Sequence, residues 1–248
     1  MKILALDSSG LVASVAVVEN DTLLAEYTVN YKKTHSQTLL PMLDEISNMT
    51  ELDLSTIDAI AVAGGPGSFT GLRIGSATAK GLGLALEKPL ISIPTTAAIA
   101  YNIWDTDKFV CPIMDARRNQ VYTGVYCYTD HRLDTVWEQD TMSIEALAEG
   151  LNCLDHEVIF LGDGVAVYRE KLEALLTIPF SFAPAHVNRQ RAAAVGALAE
   201  VYYKEGKIQT AEEHEPEYLR KSQAERERAE RESVKHADVV KKQENGEK

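Results

Sequence analysis

The chain has 248 residues, 45% of them apolar, with 37 acidic against 25 basic residues and a net charge of −12, which is enough apolar material for one large core or two small ones and excludes a collagen-like or wholly disordered polymer. Residues 222–248 hold seven basic and seven acidic residues, so the whole net charge falls on the preceding body. An acidic body lacks the clustered Lys and Arg that tight independent binding of nucleic acid requires, and favours basic partners instead.

Met1-Lys2-Ile3-Leu4-Ala5-Leu6-Asp7 opens the chain, and its acidic residue interrupts the apolar run before a signal-peptide core or a membrane span can form. The expected location is the cytoplasm. Residues 3–7, 13–18 and 23–29 read as three strands, the last two split by a turn at Glu19-Asn20-Asp21. Thr34-His35-Ser36-Gln37 has capping-box spacing, and Leu39, Leu40, Leu43, Ile46 and Met49 follow at helical intervals, predicting a helix to about residue 50. Next come an apolar strand at 57–63, a glycine-rich segment, a helix from about Thr70 to Leu86, a strand at 89–93 and a helix from Thr95 to about Ile103. This half reads βββαβαβα.

The second half repeats the plan in weaker form: strands at 109–114, 119–128 and 132–141, a helix starting near Ser143, a strand at 158–161, and helices at 165–176 and 189–203. The expected fold is therefore α/β, with two related domains (1–105 and 106–221) of the actin/Hsp70/sugar-kinase-like architecture facing each other across a cleft. From 222 the chain is charged on every face, and a solvated helix or a disordered tail both fit. Cys111, Cys127 and Cys153 are odd in number and lack C-x-x-C spacing, so they read as reduced core thiols.

Gly64-Gly65-Pro66-Gly67-Ser68-Phe69-Thr70-Gly71-Leu72-Arg73 lies between a buried strand and a helix, where backbone N–H groups and the helix dipole attract anions. It is neither a Walker A loop, which ends in Gly-Lys-Ser/Thr, nor a dinucleotide fingerprint, since Thr70 stands where the third glycine belongs. A tight turn into a close-packed helix accounts for it equally well. In the helix that follows, Gly71, Gly75, Ala79 and Gly83 recur every four residues, so one ridge is almost bare of side chains. Interior glycines cost about 1 kcal/mol each relative to Ala, which calls for a compensating contact with the chain's own first helix or with a partner.

Asp7-Ser8-Ser9, at the end of the first strand, stands where actin-like proteins place a carboxylate beside nucleotide phosphates, although Asp7 also fits as a turn cap. Asp115-Ala116-Arg117-Arg118 opens the equivalent hairpin of the second half, with arginines suited to phosphate or carboxylate, or to a plain charged hairpin. Gly162-Asp163-Gly164 reads either as an adenosine-side loop or as a strand-to-helix turn. The six histidines include no pair at i,i+4, and no catalytic triad is evident. No metal site is predicted.

Four stretches carry a family resemblance: Ile3 to Ser9, Thr34-His35-Ser36 through Pro41, residues 64–73, and Met114-Asp115-Ala116-Arg117-Arg118 with Tyr122, closed by Pro216-Glu217-Tyr218-Leu219-Arg220. Together they resemble the TsaB (YeaZ) family. The resemblance implies a non-catalytic partner and activator of TsaD, acting with the ATPase TsaE in threonylcarbamoylation of adenosine 37 in tRNAs that read codons starting with A. In the catalytic relatives a helix carries two metal-binding histidines four residues apart, where this chain offers only His35. The resemblance further implies a partner interface on the first two helices, with Thr34, His35, Leu39, Gly71, Arg73, Gly75, Ala79 and Gly83 as its candidates. It implies that tRNA is met only through the complex, and that the isolated chain can homodimerise. No cofactor is expected on the chain alone. ATP or ADP is expected at most at the partner interface, with Asp7, Ser8, Ser9, Gly65, Gly67, Asp115, Arg117, Gly162 and Gly164 as the candidate contacts. The competing reading is an ATPase or small-molecule kinase of the same fold, using Asp7 and Asp115 around a metal-bound nucleotide.

Overall fold

Ile3-Leu4-Ala5-Leu6 has no polar position because both of its faces are covered, and in the computed structural model, which describes residues 1–31 and 35–220, it lies in the centre of a sheet. The described chain divides into Met1–Glu217 and a second unit that begins at Tyr218; the account below concerns the first. Strand β1 (Lys2–Asp7) pairs antiparallel with β2 (Ala13–Glu19), which pairs antiparallel with β3 (Thr22–Val29). On its other side β1 runs parallel to β4 (Ala59–Gly65), and β4 runs parallel to β5 (Leu90–Pro94). The order is β3-β2-β1-β4-β5. Asn20 and Asp21, both with positive φ (49° and 62°), close the β2–β3 hairpin in the conformation that two-residue turns between twisted strands require.

The strand alternation divides the apolar side chains between two cores. Leu4 and Leu6 join Val15, Val17, Ile60 and Val62 beneath helices α1 (Leu39–Thr50) and α2 (Phe69–Leu86), whereas Ile3 and Ala5 join Ala61, Ile91 and Ile93 on the opposite face. Each fully buried Leu or Ile is worth roughly 1.5–3 kcal/mol, so the doubly covered centre of this sheet is the main reservoir of stability.

Helix α1 begins at Leu39, after a 3-10 turn at His35–Gln37, and not at the predicted capping box. Thr34 lies outside the described residues. Pro41 occupies the first turn of α1, where its missing N–H costs nothing. Helix α3 (Thr95–Ala100) then ends the first pattern.

The second sheet repeats the topology. β6 (Phe109–Asp115), β7 (Gln120–Thr129) and β8 (Arg132–Ser143) form the meander, β9 (Val158–Leu161) runs parallel to β6, and the order β10-β9-β6-β7-β8 mirrors the first sheet. Asp130 and His131 reproduce the left-handed hairpin turn of Asn20 and Asp21. Strand β10 (Phe180–Phe182) was not anticipated: a three-residue strand within the four residues between Pro179 and Pro184 is too short to show a period. Helices α4 (Ile144–Leu154) and α5 (Gly164–Leu175) cover this sheet, with Ser143 capping α4 through a 3.1 Å bond from the Ala146 N–H.

The last helix, α6 (Ala192–Lys204), leaves the second sheet and packs on the first, where Val195, Leu198 and Ala199 join the core of Ile3 and Ala5. Gly196 permits this approach, since a Cβ there would stand 2.7 Å from Val18 Cγ2. Side chains from the first sheet cap α6: Ser14 Oγ accepts the Ala192 N–H at 2.8 Å and Glu26 Oε1 accepts that of Ala193 at 3.1 Å.

The expected core thiols are corrected in part. All three cysteines are free, but only Cys111 is buried, and burial pushes its thiol up to about 12; Cys153 is exposed. No helix among the described residues is long and apolar enough to cross a membrane. The charged segment 222–248 lies outside the described residues.

Candidate functional site

At the end of β1, the Asp7 carboxyl is fully buried. Its Oδ1 accepts the Ser9 N–H at 2.9 Å and the Ser9 hydroxyl at 2.7 Å, the turn-capping arrangement of a short acidic side chain. Burial raises its pKa to about 6 from an ordinary 3.8, against a smaller opposing pull from the Ser9 bonds and His35. The glycine-rich segment closes on this turn. Ser9 O accepts the Ser68 N–H at 2.7 Å, and Ser8 Oγ donates to Gly71 O at 2.9 Å. A Cβ at Gly67 would stand 2.4 Å from Ser9 O, and one at Gly71 would stand 2.1 Å from Ser8 O. Asp7, Ser8, Ser9 and Gly67 thus meet in one place. Gly65, with φ 129° and a cis bond to Pro66, faces Glu217, whose N–H bonds to Gly64 O at 2.7 Å.

Two further side chains complete the cluster around the Ser9–Gly10 turn. His35 Nε2 donates to Gly10 O at 2.8 Å. Gln190 is 1% exposed and packs against Gly10. Asp7 Oδ2, His35 Nδ1 and both amide atoms of Gln190 are buried and have no hydrogen-bond partner among the described residues. Gln190 carries no motif, and only its position between Arg189 and Arg191, in the segment that crosses from the second sheet to the first, sets it apart. Its neighbour Arg191 anchors that segment to Glu26 of β3, with Nε to Oε2 at 3.0 Å.

The second cluster lies at the end of β6. Asp115 Oδ1 accepts the Arg117 N–H at 2.9 Å and the Tyr168 hydroxyl at 3.2 Å, and Arg117 Nη1 lies 3.2 Å from Asp115 Oδ2 with its side chain largely in solvent. Arg117, Arg118 and Asn119 all have positive φ, a run that side-chain sterics disfavour. Asp163 Oδ1 accepts the Asp115 N–H at 3.3 Å, and burial raises its pKa while Arg189 opposes the shift. Gly162 and Gly164 fit the strand-to-helix turn closely, where Cβ atoms would stand 2.2 and 2.9 Å from Ile113 O. Consecutive residues Arg189 and Gln190 face the two clusters in turn. Among the described residues no three His, Cys, Asp or Glu side chains gather as a metal would require.

The predicted docking ridge is corrected. Gly71, Gly75, Ala79 and Gly83 are buried by the chain's own sheet: Gly75 meets Ser8 Oγ, Ala79 lies among the core of Leu4 and Leu6, and Gly83 meets Leu90. Leu39 is also core, and His35 is engaged by Gly10. Of the predicted interface residues, Arg73 faces outward, its guanidinium over the Phe69 ring. The outer face of α2 carries instead Thr70, Arg73, Ala77, Gly81 and Ala85, and a Cβ at Gly81 would meet nothing within 4 Å.

Comparison with known proteins agrees over most of the chain. The family model described as TsaD, tRNA N6-adenosine threonylcarbamoyltransferase, matches residues 22–228. The tRNA threonylcarbamoyladenosine biosynthesis protein TsaB of Bacillus subtilis (strain 168) is 32% identical over 225 residues, covering 91% of this chain and 96% of the relative. Among solved structures, YeaZ from Pseudomonas aeruginosa superposes with a TM-score of 0.76 at 28% identity, over 88% of this chain and 99% of that one. An inorganic polyphosphate/ATP-glucomannokinase from Arthrobacter sp. strain KM superposes with a TM-score of 0.50 at 16% identity, over 82% of this chain and 99% of that one, a likeness of fold alone. The duplicated topology is that of the actin/Hsp70/sugar-kinase-like fold, as expected.

Proposed function

The chain belongs to the TsaB family of tRNA threonylcarbamoyladenosine biosynthesis proteins, and from that premise we propose that it is a non-catalytic, cytoplasmic partner that activates a TsaD-type threonylcarbamoyltransferase with the help of TsaE. Its task in this reading is to hold TsaD in an active state for modification of adenosine 37, so that tRNA is met only through the complex.

One observation carries the docking half of the reading. Helices α1 and α2 lie side by side on one face of the first sheet, and their outer surfaces hold an unusual share of small or apolar groups: Ala77, Gly81 and Ala85 on α2, with Leu40 and Met49, the latter 78% exposed, on α1. Small residues admit close approach of a second helix, and an exposed apolar surface of this kind is the usual mark of an interface. Without TsaD the same face is free to pair with a second copy.

The buried Asp7 cluster supports a nucleotide role only as part of a composite site. Its open hydrogen-bonding atoms, Asp7 Oδ2, His35 Nδ1 and the Gln190 amide, are covered by this chain, so ATP or ADP would need a rearrangement that partner binding supplies. The opposing reading, a stand-alone ATPase or kinase, draws on Asp7 and Asp115 at the ends of equivalent strands.

Ala77→Arg and Gly81→Arg are expected to fold normally, since both sites face solvent, and to weaken binding to TsaD by at least about tenfold, with parallel loss of tRNA modification in a reconstituted TsaD–TsaE reaction. Normal TsaD affinity in both variants would refute the docking face. Tight Mg-ATP binding with turnover by the isolated chain would refute the non-catalytic role.

A further inference from the structure

At the far end of α2 from the glycine-rich segment, the helix and the segment 208–213 enclose a groove of about 510 Å³. The segment reaches this place because Gln209 pairs with Leu90, exchanging backbone bonds of 2.8 and 2.9 Å and covering the free edge of β5. Two large apolar side chains lining the groove remain open to solvent, Leu84 at 60% and Ile208 at 46% exposure, with Pro89 beside them. A volume of this size accommodates a few side chains.

The charge around the groove is predominantly negative. Glu87, Glu212 and Glu213 line it against the single ammonium of Lys88. Glu213 is held in place by the Thr210 N–H and hydroxyl at 2.9 and 3.0 Å. The carbonyl end of an 18-residue helix points the same way, its last turn holds no basic residue, and Glu87 stands at the cap itself. A carboxylate at a helix C-terminus opposes the dipole by about 0.3–1 kcal/mol, and an arriving cation reverses that penalty. Lys80, the nearest further cation on α2, is committed to the backbone carbonyls of Glu212 and His214. Apolar floor, acidic rim and negative helix end together select one kind of occupant.

We propose that this groove binds a short peptide segment of a protein partner in which apolar side chains alternate with lysine or arginine. The apolar side chains would rest on Leu84, Ile208 and Pro89, and the cations would face Glu87, Glu212 and the α2 carbonyls. The assignment rests on different side chains from the proposed TsaD docking face of Ala77, Gly81 and Ala85, although Ala85 adjoins Leu84 of the groove.

The test uses the full chain and fluorescence anisotropy with a labelled Lys-Leu-Lys-Leu-Lys-Leu peptide, a version with Ser for each Leu, and a version with Glu for each Lys. Saturable binding is expected for the first, with both others at least about tenfold weaker. Glu87→Asn, which keeps a residue tolerant of the left-handed backbone, and Ile208→Ser are each expected to weaken it about tenfold at unchanged thermal stability. Equal binding of the Ser version would mean that only the net charge of −12 attracts the peptide, and would overturn the proposal. Indifference to both variants, or no saturable binding at millimolar peptide, would overturn it too.

Discussion

Gly71→Ala is expected to destabilise the protein by on the order of 3 kcal/mol, although Ala is the better helix former by about 1 kcal/mol. The added methyl would stand 2.1 Å from the Ser8 carbonyl oxygen, a backbone atom with no rotamer by which to retreat. Relief requires moving α2 away from β1, and that shift would also stretch the Ser8 Oγ–Gly71 O bond and open the packing at Gly75. At roughly 2–4 °C per kcal/mol for a chain of this size, the melting temperature should fall by about 10 °C. Gly81→Ala is the matched control on the same helix. It adds the same methyl into open space, so only the propensity gain remains, and its melting temperature should hold or rise slightly. Equal melting temperatures for the two variants would show that α2 is not clamped to β1 as described.

The second large effect concerns Asp7 and has a definite sign. Its carboxyl titrates near 6 in the folded chain because burial disfavours the charged form, against 3.8 ordinarily. Between those values the folded state keeps a proton that the unfolded state has lost, so the contribution of Asp7 to stability is greatest below about pH 4 and declines as pH rises to 6. Two units at 1.36 kcal/mol each make the loss about 3 kcal/mol. Asp7→Asn removes the charge yet keeps an Oδ1 acceptor for Ser9. Urea unfolding of the variant should therefore exceed the parent by about 1 kcal/mol at about pH 4.5 and by about 3 kcal/mol at about pH 8. A variant weaker than the parent at the higher pH would mean that the carboxylate itself is needed for folding. A group that costs stability where a neutral isostere would not is the pattern expected of a residue kept for binding.

Much of the fold was legible because its signals are local. Alternating or continuous apolar runs mark the strands, and the hairpin turns at Asn20-Asp21 and Asp130-His131 fall where polar pairs interrupt them. Strand β10 was hidden by its shortness, and the start of α1 by a capping-box pattern at 34–37 that the chain spends partly on a 3-10 turn. The four-residue step of Gly71, Gly75, Ala79 and Gly83 correctly announced a close approach. Periodicity gives a face but not its direction, however, and the approaching atoms belong to Ser8 and Leu90 of the same chain. Asp7, Ser8 and Ser9 were found through their place at the end of the first strand. Gln190 and Glu26 were not, since each depends on contacts with residues more than 160 positions away that no local pattern encodes.

The return of α6 to the first sheet has a consequence for how the chain comes into being. On the ribosome, residues 1–105 emerge as a sheet with α1 and α2 on one side, while on the other Ile3, Ala5 and Ile91 have the short α3 beside them and still lack α6. Helix α6 is synthesised nearly 90 residues later, at about 5–20 residues per second, so the first half spends several seconds with apolar surface exposed and with Ser14 and Glu26 not yet capping α6. A nascent chain of this design is an expected client for chaperones that shield apolar sheet faces until α6 emerges.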